Sequence, residues 1–124
     1  MNSRIMVVDD DDGFRTTLVE ILMEEGRDVV SAENGFQAVR MASGGNIASI
    51  FMDIQMPSMN GVEAFLKIKE ILPGCVVAMM TGYAADSLAQ QAIAEGAVTI
   101  LKKPLSIENI FELIAKVMPE AIPS

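Results

Sequence analysis

The chain has 124 residues, 51% of them hydrophobic, which predicts one domain with its own core and excludes global disorder. A formal net charge of −8 disfavours nucleic acid and anionic membranes as direct partners, because their phosphates would repel the chain. The absence of histidine and the single cysteine, Cys75, exclude His/Cys zinc sites, histidine-dependent triads and an internal disulfide.

A short apolar run followed by an amphipathic segment occurs five times along the chain. The apolar runs predict strands at 5–8, from 29, at about 48–53, at 76–80 and at 98–101. Polar and turn-forming residues predict the helix starts at Asp11 or Asp12, at Asn34-Gly35, at Asn60 and at Ser106. We expect one domain over 1–124, with its core at about 3–118 and a tail at 119–124.

The regular alternation of strands and helices predicts an α/β fold in three layers. Right-handed crossovers would join the strands into one parallel five-stranded sheet with helices on both faces, a doubly wound arrangement. The first, third and fourth strands are nearly continuous apolar runs, as expected for strands buried on both sides.

Polar side chains stand at the ends of four of the predicted strands. Asp9 and Asp10 follow the first strand, Asp53 ends the third, Thr81 follows the fourth in a loop, and Lys103 follows the fifth. The carboxyl ends of parallel strands share one edge of a sheet, which is where open α/β sheets bind ligands. We therefore expect three carboxylates, a hydroxyl and an ammonium to converge there.

The charges of this set indicate a divalent cation. Three carboxylates and one ammonium sum to −2, and without a cation at least one carboxyl pKa should rise through mutual repulsion. Oxygen ligands around a small, hard cation favour Mg²⁺.

Four motifs, in order and with matching spacing over nearly the whole chain, resemble the signature of response-regulator receiver domains. They are Val8-Asp9-Asp10, Asp53 with Met56-Pro57, Thr81-Gly82 and Lys103-Pro104. The resemblance implies a flavodoxin-like (βα)5 fold with strand order 2-1-3-4-5.

The resemblance also implies the role of each site residue. Asp53 matches the phosphoacceptor, Asp10 a direct Mg²⁺ ligand, and Asp9 an acidic neighbour that reaches the metal through water. Gln55 occupies the position whose backbone carbonyl binds the metal.

Two further residues match groups that contact the phosphoryl group in the family. Thr81 corresponds to the hydroxyl that bonds it, and Lys103 to the ammonium that pairs with it. The Lys103-Pro104 bond is expected to be cis, which the proline makes possible.

The implied function is a signalling switch rather than an enzyme with an external substrate. A histidine kinase or phosphotransfer protein would phosphorylate Asp53 with Mg²⁺, and the protein would catalyse only its own phosphorylation and dephosphorylation. The change would alter a surface formed by helix four, strand five and helix five, and so control a downstream protein partner. The lack of a bilayer-length apolar segment and the lone cysteine predict a cytoplasmic location.

One position departs from the family pattern and affects the expected switching route. Ile100 stands three residues before Lys103, where the family usually has Tyr or Phe. An aliphatic side chain has no aromatic ring to move between a buried and an exposed position. Gln55 and Tyr83 occupy positions that influence dephosphorylation in the family.

The sequence leaves two other functions open. A pseudo-receiver would bind partners without phosphorylation. A haloacid-dehalogenase-type phosphatase would use the D-x-D start Asp9-Asp10-Asp11, although Gly13 stands where Thr or Val is expected. The residue that carries the covalent phosphate, Asp53 or Asp9, separates the receiver from the phosphatase.

Overall fold

The computed structural model of the protein describes residues 4–82 and 87–117, apart from the side chains of residues 116 and 117. The strands are β1 Ile5–Val8, β2 Val29–Ala32, β3 Ser49–Asp53, β4 Val76–Thr81 and β5 Thr99–Lys102. The helices are α1 Asp12–Glu24, α2 Gly35–Ser43, α3 Gly61–Ile71, α4 Ser87–Ala94 and α5 Ile107–Val117. Tyr83 and the tail predicted at 119–124 lie outside the described residues.

The strands form one parallel sheet in the order β2-β1-β3-β4-β5. The predicted fold class and strand order are therefore confirmed. β3 lies at the centre between β1 and β4, with Val8 opposite Met52 and Asp53 opposite Met80. This register brings the ends of β1, β3 and β4 to the same edge.

Two apolar clusters cover opposite faces of the sheet. Met6 and Met52 point to the face covered by α2, α3 and α4, whereas Val7 and Phe51 point to the face covered by α1 and α5. Neighbouring residues of one strand thus enter different clusters, as the alternation of side chains along a strand requires. This arrangement explains why β1, β3 and β4 are nearly continuous apolar runs.

The polar residues predicted to start helices do so by capping exposed backbone N–H groups. The Asp11 carboxylate accepts the Phe14 N–H at 3.1 Å, and the Ser106 hydroxyl accepts the Asn109 N–H at 3.0 Å. Asn60 and Glu63 form a reciprocal capping box at the start of α3. These caps begin the helices that follow β1, β3 and β5.

The limits of two strands, β4 and β5, differ from the sequence prediction. Thr81, expected in a loop, is the last residue of β4 and pairs with Lys102 of β5. β5 begins at Thr99 and not at 98, and it continues through Lys102. Pairing with the neighbouring strand sets these limits, whereas local hydrophobicity ended β4 at Met80 and placed β5 one residue too early.

Candidate functional site

Acidic and basic side chains converge at the carboxyl edge of the sheet. One carboxylate oxygen from each of Asp9, Asp10 and Asp53 lies within 4.8 Å of the others. The Lys103 Nζ lies 2.7 Å from the Asp9 Oδ2 and 3.5 Å from the Asp53 Oδ1. The structure therefore brings together four of the predicted site residues, which come from the ends of β1, β3 and β5.

Asp9 is fully buried and held by protein donors on both carboxylate oxygens. Its Oδ1 accepts the Asp11 N–H at 2.9 Å, and its Oδ2 accepts from Lys103. The Arg15 guanidinium donates to the Asp9 backbone carbonyl at 2.7 Å. Asp10, the next residue, is exposed. The two neighbouring acids therefore differ: one is fixed inside the site and the other faces solvent.

Asp53 is 4% exposed and lies beside another carboxylate. Burial raises its pKa to about 7, and repulsion by Asp9 acts in the same direction. Lys103 and a hydrogen bond from the Gln55 backbone N–H oppose the rise. The carboxyl pKa that rises in this set is that of Asp53, and burial contributes more to the rise than repulsion by Asp9 does.

Lys103 supplies a positive charge to the site. Besides the two carboxylates, its Nζ lies over the ring of Phe14, 4.5 Å from the ring centroid. Burial disfavours the charged amine, but the hydrogen bond to Asp9 and the charges of Asp53 and Asp9 together raise the pKa of Lys103. The Lys103-Pro104 bond is cis, as predicted.

Thr81 and Gln55, the remaining predicted site residues, flank Asp53. Thr81 is fully buried at the end of β4, one residue beyond Met80, which pairs with Asp53. Its backbone carbonyl accepts the Lys103 N–H at 2.8 Å, which joins the ends of β4 and β5. Gln55 has an exposed side chain, and its backbone N–H bonds the Asp53 carboxylate.

Sequence reasoning missed two residues in the first turn of α1. Phe14 stands at helical spacing from Leu18, Ile21 and Leu22, a stripe that predicts only a core contact, whereas it contacts both the core and Lys103. Arg15 holds the backbone of Asp9 and also pairs with Asp12. A cation near a helix start, where acids are favoured, was the available signal for Arg15.

Gly61 allows α3 to approach the backbone of Asp53. Its N–H donates to the Ile54 carbonyl at 2.8 Å, and an added Cβ would clash with the Asp53 carbonyl and lie 2.9 Å from the Ile54 Cα. We expect Gly61→Ala to lower the free energy of unfolding by about 1–3 kcal/mol, because backbone atoms must move apart.

Urea unfolding measures this change, with Gly74→Ala as the control. An added Cβ at Gly74 meets no described atom within 4 Å, so that variant should stay within about 0.5 kcal/mol of the parent. Equal stability of the two variants would contradict the proposed crowding at Gly61.

The response regulator receiver domain family matches residues 5–115 of the chain. Sporulation initiation phosphotransferase F of Bacillus subtilis (strain 168) is 32% identical over 119 residues, covering 96% of this chain and 96% of that protein. Chemotaxis protein CheY of the same strain is 34% identical over 119 residues, covering 95% and 99%.

Solved structures give the same result. The crystal structure of a CheY-like response regulator receiver domain protein from Methanospirillum hungatei JF-1 has a TM-score of 0.91 to this protein. The two are 28% identical, and the match covers 97% of this chain and 96% of that one. Other relatives are longer, and the chain spans 46% and 28% of the lengths of two of them.

The fold, the matched residues and the relatives define a signalling domain of two-component systems. The chain belongs to the response regulator receiver domain family. Receiver domains are phosphorylated by histidine kinases or phosphotransfer proteins, bind Mg²⁺ at an acidic cluster and act on downstream partners. Within residues 4–82 and 87–117, each helix is too short or too polar to cross a bilayer.

Proposed function

We propose that Asp53 accepts a phosphoryl group from phosphohistidine on a histidine kinase or phosphotransfer protein. One observation carries this proposal: the Asp53 carboxylate lies at the carboxyl edge, beside two further carboxylates and 3.5 Å from an ammonium. That set suits the charge changes of phosphoryl transfer, which is catalysed mainly by positioning and electrostatics.

The three carboxylates fit a hard divalent cation. One oxygen from each of them lies within 4.8 Å of the others, and their summed negative charge exceeds the positive charge of Lys103. Asp10, Asp53 and the backbone carbonyl of Gln55 would hold Mg²⁺ directly, and Asp9 would act through water. Bound Mg²⁺ would neutralise charge on the oxygens of the transferred group.

The protein's own residues perform the rest of the proposed reaction. An Asp53 carboxylate oxygen attacks phosphorus, the phosphorus–nitrogen bond to the donor histidine breaks, and an acyl phosphate forms. Lys103 pairs with an oxygen of the phosphoryl group, and the Thr81 hydroxyl donates to another. Water later hydrolyses the acyl phosphate at the same place, so the chain catalyses only its own modification.

The proposed output is a change in the surface formed by α4, β5 and α5, which would control a downstream protein partner. A phosphoryl group adds roughly −1.5 to −2 charge and would attract the Thr81 hydroxyl. Ile100 is aliphatic and packs against the core, so the shift would not use an aromatic ring at that position.

The extent of the domain, 1–124 with its core at about 3–118, and the cytoplasmic location remain predictions.

Incubation with Mg²⁺ and acetyl phosphate tests the proposal directly. Intact mass spectrometry is expected to show one added phosphoryl group that chelation of Mg²⁺ prevents, and peptide mapping should locate it at Asp53. A phosphate on Asp9 would favour the phosphatase alternative. A protein that takes up no phosphate from acetyl phosphate or from a phosphorylated kinase domain would be a pseudo-receiver.

The proposed metal ligands predict different effects for two neighbouring acids. Asp10→Asn should weaken Mg²⁺ binding at least about tenfold, because even outer-shell partners of a metal contribute that much. Asp12→Asn removes the same charge from an exposed residue that lies outside the carboxylate cluster, and it should leave the affinity within about twofold. Calorimetric titration would compare the two, and equal affinities would refute the assignment of Asp10.

A further inference from the structure

The Lys103 ammonium contacts a group that takes no part in the proposed phosphoryl transfer. Its Nζ lies over the Phe14 ring, 4.5 Å from the centroid, which is within the range of a cation–π interaction. Building on the proposed function, we propose that Phe14 is a positioning residue: the face of its ring holds the Lys103 ammonium beside Asp53 for phosphoryl transfer.

The ring itself is held in place by the start of α1. The Phe14 N–H is the donor to the Asp11 cap at 3.1 Å, and the next residue, Arg15, is tied to the Asp9 backbone. The Phe14 side chain is partly buried and packs against the cluster between the sheet, α1 and α5. The first turn of α1 therefore presents a fixed aromatic face to the end of β5.

A ring suits this position better than a charged or polar group. Asp9 and Asp53 both bond Lys103 in this structure, and both have metal or phosphoryl partners in the proposed reaction. An aromatic ring attracts the ammonium but binds neither a hard divalent cation nor a proton. It can hold the lysine while the carboxylates exchange partners, and it limits the freedom of a side chain that has many rotamers.

Fluorination of the ring tests this role without removing the side chain. Position 14 would carry phenylalanine or one of its fluorinated forms: 4-fluoro, 3,5-difluoro or 3,4,5-trifluoro. Fluorine withdraws electron density from the face of the ring and nearly keeps the shape of the ring. The rate of phosphorylation by acetyl phosphate with saturating Mg²⁺ is expected to fall stepwise, by roughly threefold to tenfold at the trifluoro form. Phe14→Tyr should keep the rate of the parent protein, and Phe14→Leu should lower the rate about as much as the trifluoro form does.

A second background separates positioning of Lys103 from packing. In Lys103→Met protein the remaining rate should not depend on fluorination, because the cation is gone. Phe65 is the matched control, because the centroid of its ring lies 5.7 Å from the Nζ of another lysine, Lys69. Fluorination of Phe65 should not change the rate. A flat rate across the Phe14 series, or an equal fall in Lys103→Met protein, would overturn the proposal.

A nuclear magnetic resonance measurement tests the contact itself, independently of phosphorylation. The ring should shift the ε-methylene protons of Lys103 upfield, and Phe14→Leu should remove that shift. Unshifted protons in the parent protein would overturn the role of Phe14 even if Asp53 is phosphorylated. A parent protein that shows the shift but accepts no phosphate would instead refute the proposed function of the site.

Discussion

Replacing Asp53 by asparagine is expected to abolish phosphate uptake. The same variant is expected to be more stable than the parent protein at neutral pH. The amide has no carboxylate oxygen to form an acyl phosphate, so incorporation from acetyl phosphate should fall below detection. The second effect follows from the surroundings of Asp53, which is 4% exposed and beside Asp9. It requires no phosphodonor and can be measured without metal.

The sign of the stability effect follows from the pKa of Asp53, which burial raises from 3.8 to about 7. Below pH 3.8 the carboxyl is protonated in both the folded and the unfolded chain, so its ionisation does not change the free energy of unfolding. Between pH 3.8 and about 7 the folded protein keeps a proton that the unfolded chain has lost, so stability falls as the pH rises. The total loss is about 4 kcal/mol.

Urea unfolding in EDTA at a series of pH values from acid to neutral measures this loss. Asp53→Asn should lack the fall assigned to position 53 and be more stable than the parent at neutral pH. Glu20→Gln, an exposed acid of α1, is the control for loss of one negative charge. The explanation fails if Asp53→Asn and Glu20→Gln have the same pH dependence.

Much of the fold was predictable because local patterns agreed with the tertiary structure. Apolar runs long enough for buried strands, separated by capped amphipathic segments, allow few arrangements other than a doubly wound parallel sheet. That topology alone brings the ends of β1, β3 and β5 together, so Asp53 and Lys103 could be associated from sequence. The resemblance to receiver domains then gave each residue a role.

Side-chain detail at the site could not be predicted in the same way. Asp9 and Asp10 are adjacent residues of one type, and only the structure shows that the first is buried and the second exposed. Phe14 fits the helical stripe, and its contact with Lys103 depends on how the end of β5 meets α1. Such contacts depend on rotamers and on the packing of distant segments, which periodicity does not encode.

Replacing Lys103 by methionine is expected to destabilise the metal-free protein and to make it depend on Mg²⁺. The substitution removes the cation 2.7 Å from Asp9, whose side chain is 0% exposed, and 3.5 Å from Asp53. Loss of one partner of a fully buried ion pair costs about 3–5 kcal/mol. The Lys103 side chain is 23% exposed, so we expect a smaller loss, about 1–3 kcal/mol.

Mg²⁺ should restore more stability to this variant than to the parent, because the cation then meets three carboxylates without a competing ammonium. Phosphorylation should nevertheless remain about a hundredfold slower than in the parent protein, because one charge that stabilises the transferred phosphoryl group is missing. Stability and rate thus respond differently to metal in the same variant.

The neighbouring residue provides a matched control for this experiment. Lys102 is exposed, so Lys102→Met removes one positive charge from the adjacent position without leaving a buried carboxylate unpaired. Urea unfolding in EDTA and in excess Mg²⁺ would be compared for both variants and the parent. Equal stabilities of the two variants in EDTA would show that Lys103 does not offset the charges of Asp9 and Asp53. Equal gains from Mg²⁺ in all three proteins would show that Lys103 does not compete with the cation, and no gain in any of them would contradict a metal site built on these carboxylates.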